Sequence, residues 1–84
     1  MRPYRVEWSR RATKDLRTLG SEAQFRVRRA VELLADNPRH PGVVKLTGRM
    51  EHRLRVGDYR VLFEILDEAL VVLVVAVRKR EDAY

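Results

Sequence analysis

The sequence has 84 residues, of which 45% are hydrophobic and 36% charged, enough for one small globular core and too little for two domains. It contains no cysteine, which excludes a disulfide framework and a thiolate metal site. Eighteen basic residues against twelve acidic ones give a net charge of +6, so polyanions, and nucleic acid first among them, are the expected partners. A solvated basic surface and an acidic protein partner are the alternatives.

The cations are arginines except for three lysines, and a planar guanidinium matches phosphate oxygens two at a time. The N-terminus lacks the apolar segment and cleavage site of a signal peptide. The longest apolar run, Ala69 to Val77, is too short to cross a bilayer. We therefore expect a cytoplasmic protein with no membrane contact.

The first elements are predicted to be a strand and a helix. Residues 2–8 alternate, with Tyr4, Val6 and Trp8 on one side, as in a half-buried strand. Ser9 is a candidate N-cap, and Gly20 can take the left-handed conformation that closes a helix. The sequence therefore predicts a helix between these two residues.

A second helix is predicted from Ser21, which has capping-box spacing to Gln24, as far as Asn37 and Pro38. The link between the two helices is so short that they should be antiparallel neighbours. Each has one apolar stripe, so the pair can cover a sheet.

The second half of the chain is predicted to be a loop, residues 37–48, followed by three strands. The loop includes a candidate extended piece at residues 43–46. Two hairpins follow, one turning at Gly57 and Asp58 and the other near Asp67 and Glu68. The predicted fold is α+β, with the order β-α-α-β-β-β and a helical hairpin packed on one face of a small antiparallel sheet.

The first hairpin has one apolar side and one cationic side. If Gly57 and Asp58 form its loop, Arg55 lies opposite Arg60, and Arg53 lies further along the same face. Like charges placed opposite each other destabilise a hairpin by a few tenths to about 1 kcal/mol. A bound phosphate would offset this repulsion, so we predict a phosphate site here.

The last strand ends in the basic residues Arg78, Lys79 and Arg80. A two-residue loop at residues 67–68 would place Lys79 on the face of Arg60, whereas a three-residue loop would place Arg78 and Arg80 there. The alternation leaves both open. Tyr84 is a further candidate, because nucleic-acid sites often combine cations with an aromatic ring.

These motifs resemble the RelE/ParE superfamily of toxins from toxin–antitoxin modules. The resemblance covers the whole chain and rests on Asn37-Pro38, Lys45-Leu46-Thr47-Gly48, the string from Arg53 to Arg60, and the string from Arg78 to Tyr84. It implies a single RelE-like toxin domain over residues 1–84. It also implies a ribosome-dependent endoribonuclease that cleaves mRNA in the A site through attack of the 2′-hydroxyl, leaving a 2′,3′-cyclic phosphate. A cognate antitoxin is the implied protein partner.

The resemblance also assigns roles to residues. Arg60 and Arg80 would bind the scissile phosphate and stabilise its transition-state charge, while Arg53 and Arg55 would hold the backbone and screen the charge of the leaving oxygen, so that all four are catalytic candidates. Tyr84 matches the C-terminal tyrosine of the family, although several RelE relatives continue into a further helix. The RNA-binding residues implied are Lys45, Arg53, Arg55, Arg78 and Lys79.

The general base is the open assignment, because arginine keeps its proton. Tyr84 can serve only if neighbouring arginines lower its pKa from about 10. Glu81 and Asp82 are the other acidic candidates. His52 has a suitable ordinary pKa, but strand alternation directs it away from Arg53, and His40 lies in a loop. No residue spacing suggests a metal site, and no small-molecule cofactor is expected.

Two alternatives to the nuclease remain within the same superfamily. ParE-like toxins share the fold and poison DNA gyrase without cleaving RNA. An RNA-binding relative without catalysis is the other, because RelE relatives often have lysines where this chain has Arg53 and Arg55.

Overall fold

A computed structural model describes residues 2–79 as a five-stranded sheet and two α-helices. The strands are β1 (Arg5–Trp8), β2 (Val43–Lys45), β3 (His52–Val56), β4 (Tyr59–Leu66) and β5 (Val71–Lys79), and the helices are α1 (Arg10–Arg17) and α2 (Ser21–Leu34). The strands lie in the order β1-β5-β4-β3-β2, so the mostly apolar β5 is an interior strand with a neighbour on each side.

The predicted α+β fold is confirmed, with two differences in the sheet. The extended piece after α2 is a strand, β2, which pairs antiparallel with β3 at the edge. At the other edge β1 runs parallel to β5, with Arg5 opposite Val71 and Trp8 opposite Val74, so the sheet is mixed and not wholly antiparallel. Two helices separate β1 from the rest of the sheet in sequence, and a parallel pairing requires a long connection of this kind.

The core lies between the helices and one face of the sheet. Both helices contribute to one cluster with the inward-facing side chains of β3, β4 and β5, which confirms that they cover the same face. Tyr4, Val6 and Trp8 pack against this cluster from β1 and the residues before it, as their alternation predicted. The largest of the fully buried side chains are Phe63, Leu34, Val27, Val31, Val61, Val72 and Val74.

The predicted N-cap of α1 is correct, whereas the predicted glycine closure of α1 and the predicted capping box of α2 are wrong. Ser9 is the N-cap of α1, because its Oγ accepts a hydrogen bond from the Ala12 N–H at 3.0 Å. Gly20 does not close α1 in a left-handed conformation; it has extended angles (φ −65°, ψ 161°) and is the N-cap of α2. The capping box is also wrong, since the Gln24 side chain donates to the Leu19 carbonyl at 2.9 Å.

The connection between β4 and β5 differs from both loop lengths considered from sequence. Leu66 pairs with Val71, so residues 67–70 form a four-residue loop containing a short 3₁₀ turn. Further along, Leu62 pairs with Ala76 while Phe63 pairs with Val74, which leaves Val75 as a β-bulge. One extra residue reverses the faces of all positions that follow it.

Among residues 2–79, neither helix has the length and apolar character that crossing a membrane requires.

Candidate functional site

The hairpin formed by β3 and β4 has the predicted register. Arg55 pairs with Arg60, and Val56 pairs with Tyr59 across a two-residue turn. Gly57 occupies the first turn position with φ 58°, in the region where glycine has no steric penalty. The turn therefore fixes which hairpin residues share a face.

Four arginines lie on the face of the sheet that is opposite the helices, and we call them the arginine face. Arg55, Arg60 and Arg78 occupy directly opposed positions on β3, β4 and β5. They form a row about 10 Å wide, since neighbouring strands lie about 4.8 Å apart. Arg53 is on the same face of β3, opposite Leu62, and completes the set.

The members of the arginine face differ in exposure. Arg55 is exposed, and its Nε donates to the Gly57 carbonyl at 3.3 Å. Arg53, Arg60 and Arg78 are half-buried, and the Nε atoms of Arg60 and Arg78 are shielded from solvent. The Arg78 Nε has no hydrogen-bond partner within residues 2–79. Their partial burial positions these guanidiniums more firmly than surface cations.

The cations of this row repel one another, and a bound anion would reduce that repulsion. Each directly opposed pair of like charges destabilises a sheet by a few tenths to about 1 kcal/mol, and the row contains the Arg55–Arg60 and Arg60–Arg78 pairs. Guanidinium groups form paired, charge-assisted hydrogen bonds with phosphate oxygens. The arrangement is therefore suited to holding a phosphate and to stabilising charge that develops on it.

The structure does not bring the two candidate lysines to the arginine face. Lys79 is paired with Tyr59, so it follows the opposite alternation from Arg78. Lys45 pairs with His52 at the sheet edge, and its ammonium donates to the carbonyls of Leu46 and Arg49 in the adjoining loop. Of the basic residues at the end of β5 that are described, Arg78 is the one that joins Arg60.

His52 lies away from the arginine face, as its alternation predicted. It pairs with Phe63, and the two rings stack with their centroids 5.6 Å apart. Partial burial, with a smaller contribution from the nearby cations Lys45 and Arg39, lowers the pKa of His52. His40 is in the loop before β2, where its Nδ1 accepts a hydrogen bond from the Gly42 N–H at 3.0 Å.

Four of the candidate residues, Arg80, Glu81, Asp82 and Tyr84, lie outside the described residues. The predicted base and the second predicted phosphate-binding arginine are among them. Within residues 2–79 no three His, Asp or Glu side chains are grouped so that they could hold a metal ion.

Two features of the structure were not predicted from the sequence. The Arg26 guanidinium packs over Gly57, so that a Cβ there would lie 3.2 Å from one of its terminal nitrogens. Asp67 accepts hydrogen bonds from both terminal nitrogens of Arg39, at 3.0 and 2.8 Å, and one from the Tyr4 hydroxyl at 2.7 Å. These partners lower the pKa of Asp67 to about 2. No local sequence pattern links residues so far apart in the chain.

Comparison with known proteins identifies the class. Residues 6–84 match the family model described as the ParE toxin of the type II toxin–antitoxin system parDE. The sequence is 32% identical over 81 residues to the mRNA interferase toxin RelE of Escherichia coli K12, an alignment that covers 93% of this chain and 84% of that protein. It is 28% identical to the putative toxin RelE1 of Methanocaldococcus jannaschii, over 96% of this chain and 94% of that protein.

Solved toxin–antitoxin complexes have the same fold. The RelBE2 complex of Mycobacterium tuberculosis matches with a TM-score of 0.84 and 29% identity, covering 98% of this chain and 97% of that one. The RelE–RelB complex of Pyrococcus horikoshii matches with a TM-score of 0.81 and 28% identity, covering 96% and 99%. The chain belongs to the RelE/ParE family of toxins from type II toxin–antitoxin modules, which confirms the resemblance inferred from its motifs.

Proposed function

We propose that this chain is an mRNA interferase, an endoribonuclease that cleaves mRNA in the ribosomal A site in the cytoplasm, and that residues 1–84 are its single toxin domain. The observation that carries this proposal is the arginine face, a row of three arginines with a fourth beside it. The 32% identity to a RelE protein named as an mRNA interferase supports the same activity.

The proposed reaction is an internal transesterification of the RNA backbone. The 2′-oxygen of one ribose attacks the adjacent phosphorus, a new O–P bond forms, and the bond to the 5′-oxygen of the next nucleotide breaks. The 2′-hydroxyl proton passes to a base, and the leaving 5′-oxygen takes up a proton. The products are a 2′,3′-cyclic phosphate and a 5′-hydroxyl, and no metal ion is required.

The arginines would act on the charge of the phosphate during this step. Negative charge accumulates on the non-bridging oxygens as the fifth bond to phosphorus forms, and guanidiniums aimed at those oxygens stabilise it. Arg60, at the centre of the row, and Arg80 are proposed for this role. Arg53, Arg55 and Arg78 are proposed to hold the flanking backbone, because phosphate contacts of this kind fix position.

The proposed base rests on the resemblance of Tyr84 to the C-terminal tyrosine of RelE relatives. Arginine is a poor base because it does not lose its proton, and His52 is stacked on Phe63 on the other side of the sheet. Tyr84 is proposed to accept the 2′-hydroxyl proton, with Glu81 and Asp82 as the alternatives. Cleavage by Tyr84→Phe, Glu81→Gln and Asp82→Asn, each assayed separately, distinguishes them.

The experiment is an mRNA cleavage assay on programmed ribosomes. Purified protein is added to ribosomes carrying a defined mRNA, breaks are mapped by primer extension, and the new termini are analysed chemically. We expect cuts in the A-site codon that leave a cyclic phosphate. If the protein arrests growth when it is expressed in cells but leaves the mRNA on programmed ribosomes intact, the proposal is refuted.

Substitutions then test the individual residues. Arg60→Ala and Arg80→Ala should each slow cleavage by about 10² or more, the usual scale for loss of one transition-state donor. Arg29→Ala is the matched control, since Arg29 is an exposed arginine of α2, in the helical layer. Equal cleavage by wild type and Arg60→Ala would exclude the arginine face as the catalytic site, and equal cleavage by Arg80→Ala would exclude Arg80.

Gyrase inhibition is a second candidate, favoured by the family model, which is that of the ParE toxin. A supercoiling assay with purified gyrase separates the two functions. Stabilised gyrase–DNA cleavage complexes, together with intact ribosomal mRNA, would assign the chain to this branch.

A cognate antitoxin is the proposed protein partner, because the solved relatives include complexes of RelE proteins with RelB antitoxins. The outer side of α2 presents Phe25, Arg29 and Leu33 at intervals of four residues, and the two apolar side chains are 64% and 54% exposed. An amphipathic acidic segment would complement this stripe. Co-expression with the neighbouring open reading frame, followed by co-purification of wild type and Phe25→Ser, Leu33→Ser, tests the contact.

A further inference from the structure

A recess lies on the opposite side of the sheet from the arginine face, between β1 and the two helices. Its volume is about 240 Å³, and it is lined by Trp8, Thr13, Leu16, Arg17 and Arg28. Trp8 is half-buried and packs partly against the core, while Leu16 is buried. The recess therefore combines an aromatic and aliphatic wall with two guanidiniums.

The two arginines at this recess have no partner in the described chain. The side chains of Arg17 and Arg28 are exposed, and neither makes a hydrogen bond or ion pair within residues 2–79. Arg17 is in the last turn of α1, where a cation interacts favourably with the helix dipole, but Arg28 is in the middle of α2 and lacks that explanation. Two such cations around one concave site indicate an anionic ligand.

The cationic surface continues from the recess along α1. Arg10, Lys14 and Arg17 lie at i, i+4 and i+7, on one stripe of the helix, and all three are exposed. The acidic residue of α1, Asp15, is already bound, because it pairs with Arg11 at 3.3 Å and accepts a hydrogen bond from the Val77 N–H at 3.0 Å. The stripe is therefore not neutralised from within its own helix.

We propose that this recess binds one nucleotide of a single-stranded RNA, with the base against Trp8 and its phosphate held by Arg17 and Arg28. Base–aromatic stacking tolerates any sequence, and basic grooves that bind single strands combine it with cations along the backbone. The volume is below the roughly 300–1,000 Å³ of small-molecule sites, which suits one unit of a longer chain. The stripe on α1 gives the neighbouring phosphates a path away from the recess.

The inference extends the proposed function, because it gives an RNA-cleaving protein a second RNA contact away from the scissile phosphate. An acidic peptide with an aromatic side chain is the competing ligand. The continuous cationic stripe favours the nucleic acid, since phosphates recur at every residue of an RNA strand and acidic side chains do not recur so regularly in a peptide.

Trp8 is the single tryptophan of the sequence, so its intrinsic fluorescence reports on the recess. A nucleotide stacked on Trp8 should quench its fluorescence, whereas one bound at the arginine face is separated from Trp8 by the sheet. We would titrate the full chain with adenosine 5′-monophosphate, adenosine, inorganic phosphate and a tetra-adenylate RNA. The expected order of quenching is tetra-adenylate, then the monophosphate, then adenosine, with no quenching by phosphate.

Variants test the role of the two arginines. Arg17→Ala and Arg28→Ala should each raise the nucleotide concentration at half-saturation by about tenfold, the scale of one lost charge-assisted hydrogen bond. Arg49→Ala, which changes an exposed arginine in the loop before β3, should leave it unchanged. Absence of quenching, equal quenching in the Arg17→Ala, Arg28→Ala double variant, or quenching by the peptide Asp-Phe-Asp but not by nucleotides would each overturn the inference.

The same titration on Arg60→Ala separates this inference from the proposed nuclease activity. Unchanged quenching in that variant, with cleavage lost, is the expected result. If wild type cleaves mRNA without any nucleotide quenching of Trp8, the recess is not an RNA site and the nuclease proposal stands. If quenching occurs without cleavage by wild type, the recess binds nucleotides and the nuclease proposal fails.

Discussion

Arg78 and Lys79 are adjacent in sequence but lie on opposite faces of β5, which makes them a matched pair for testing the arginine face. Arg78 is opposite Arg60, whereas Lys79 is opposite Tyr59. Replacing either residue by methionine removes one positive charge and retains a long side chain. We therefore compare Arg78→Met with Lys79→Met in both stability and RNA binding.

Arg78→Met should stabilise the fold while weakening RNA binding. It removes the repulsion with Arg60, a few tenths to about 1 kcal/mol for a directly opposed pair, and it removes a buried Nε that has no partner within the described residues. For a domain of this size, 1 kcal/mol corresponds to a rise in Tm of about 4–8 °C. The binding constant K falls with salt, and the lost phosphate contact should make this fall less steep. The slope of log K against log salt should become less negative by about 0.7 for a single strand.

Thermal unfolding and fluorescence anisotropy with a labelled single-stranded RNA, at several salt concentrations, measure the two effects. Lys79→Met should change the free energy of unfolding by no more than about 0.5 kcal/mol. It should leave the salt dependence of RNA binding unchanged. Equal loss of RNA affinity in the two variants would mean that overall charge, and not the position of Arg78 in the row, determines binding. A lower Tm for Arg78→Met would refute the repulsion argument.

Three further predictions concern stability and titration. The lowered pKa of His52 means that its neutral form is favoured by folding, so stability should fall as pH decreases below the ordinary value of 6.5, and an NMR titration should place its midpoint below that value. The pKa of Asp67 is about 2 instead of 3.8, so its hydrogen bonds with Arg39 stabilise the fold above the ordinary pKa and are lost as the pH falls towards 2. In Asp67→Asn, the urea concentration at the unfolding midpoint should therefore depend less on pH in the acid range. Ser9→Ala should cost about 0.5–2 kcal/mol in urea unfolding through the lost N-cap, and Ser9→Thr should restore part of it.

Ser9 also connects the start of α1 to the strand that carries Arg78. Its Oγ donates to the carbonyl of Val75, the bulged residue of β5, at 2.9 Å. The substitution therefore tests whether the bulge, and with it the placement of Arg78, depends on this contact. If the placement of Arg78 depends on this contact, RNA binding by Ser9→Ala should be less sensitive to salt than RNA binding by wild type.

The geometry of the first hairpin was predictable because it depends on short-range rules. A glycine at the turn fixes the pairing, and the two-residue alternation of a strand then assigns each side chain to a face. Arg53, Arg55 and Arg60 were placed correctly on one face, and His52 on the other, for this reason. The order of helices and strands also followed from local patterns, since apolar periodicity and caps depend on neighbouring residues.

The choice between Arg78 and Lys79 needed the tertiary structure. Sequence alternation left two loop lengths open, and the structure has neither. The four-residue loop without the bulge would have placed Val77 opposite Arg60, and therefore Lys79 and not Arg78 on the face of Arg60. The bulge at Val75 reverses that result, and it is bonded to Ser9, 66 positions away in the sequence. Local sequence alone determined the hairpin and its cationic side, whereas the loop length and the bulge in β5, which only the tertiary structure shows, decided which cation completes the row, because one extra residue in a strand exchanges its faces.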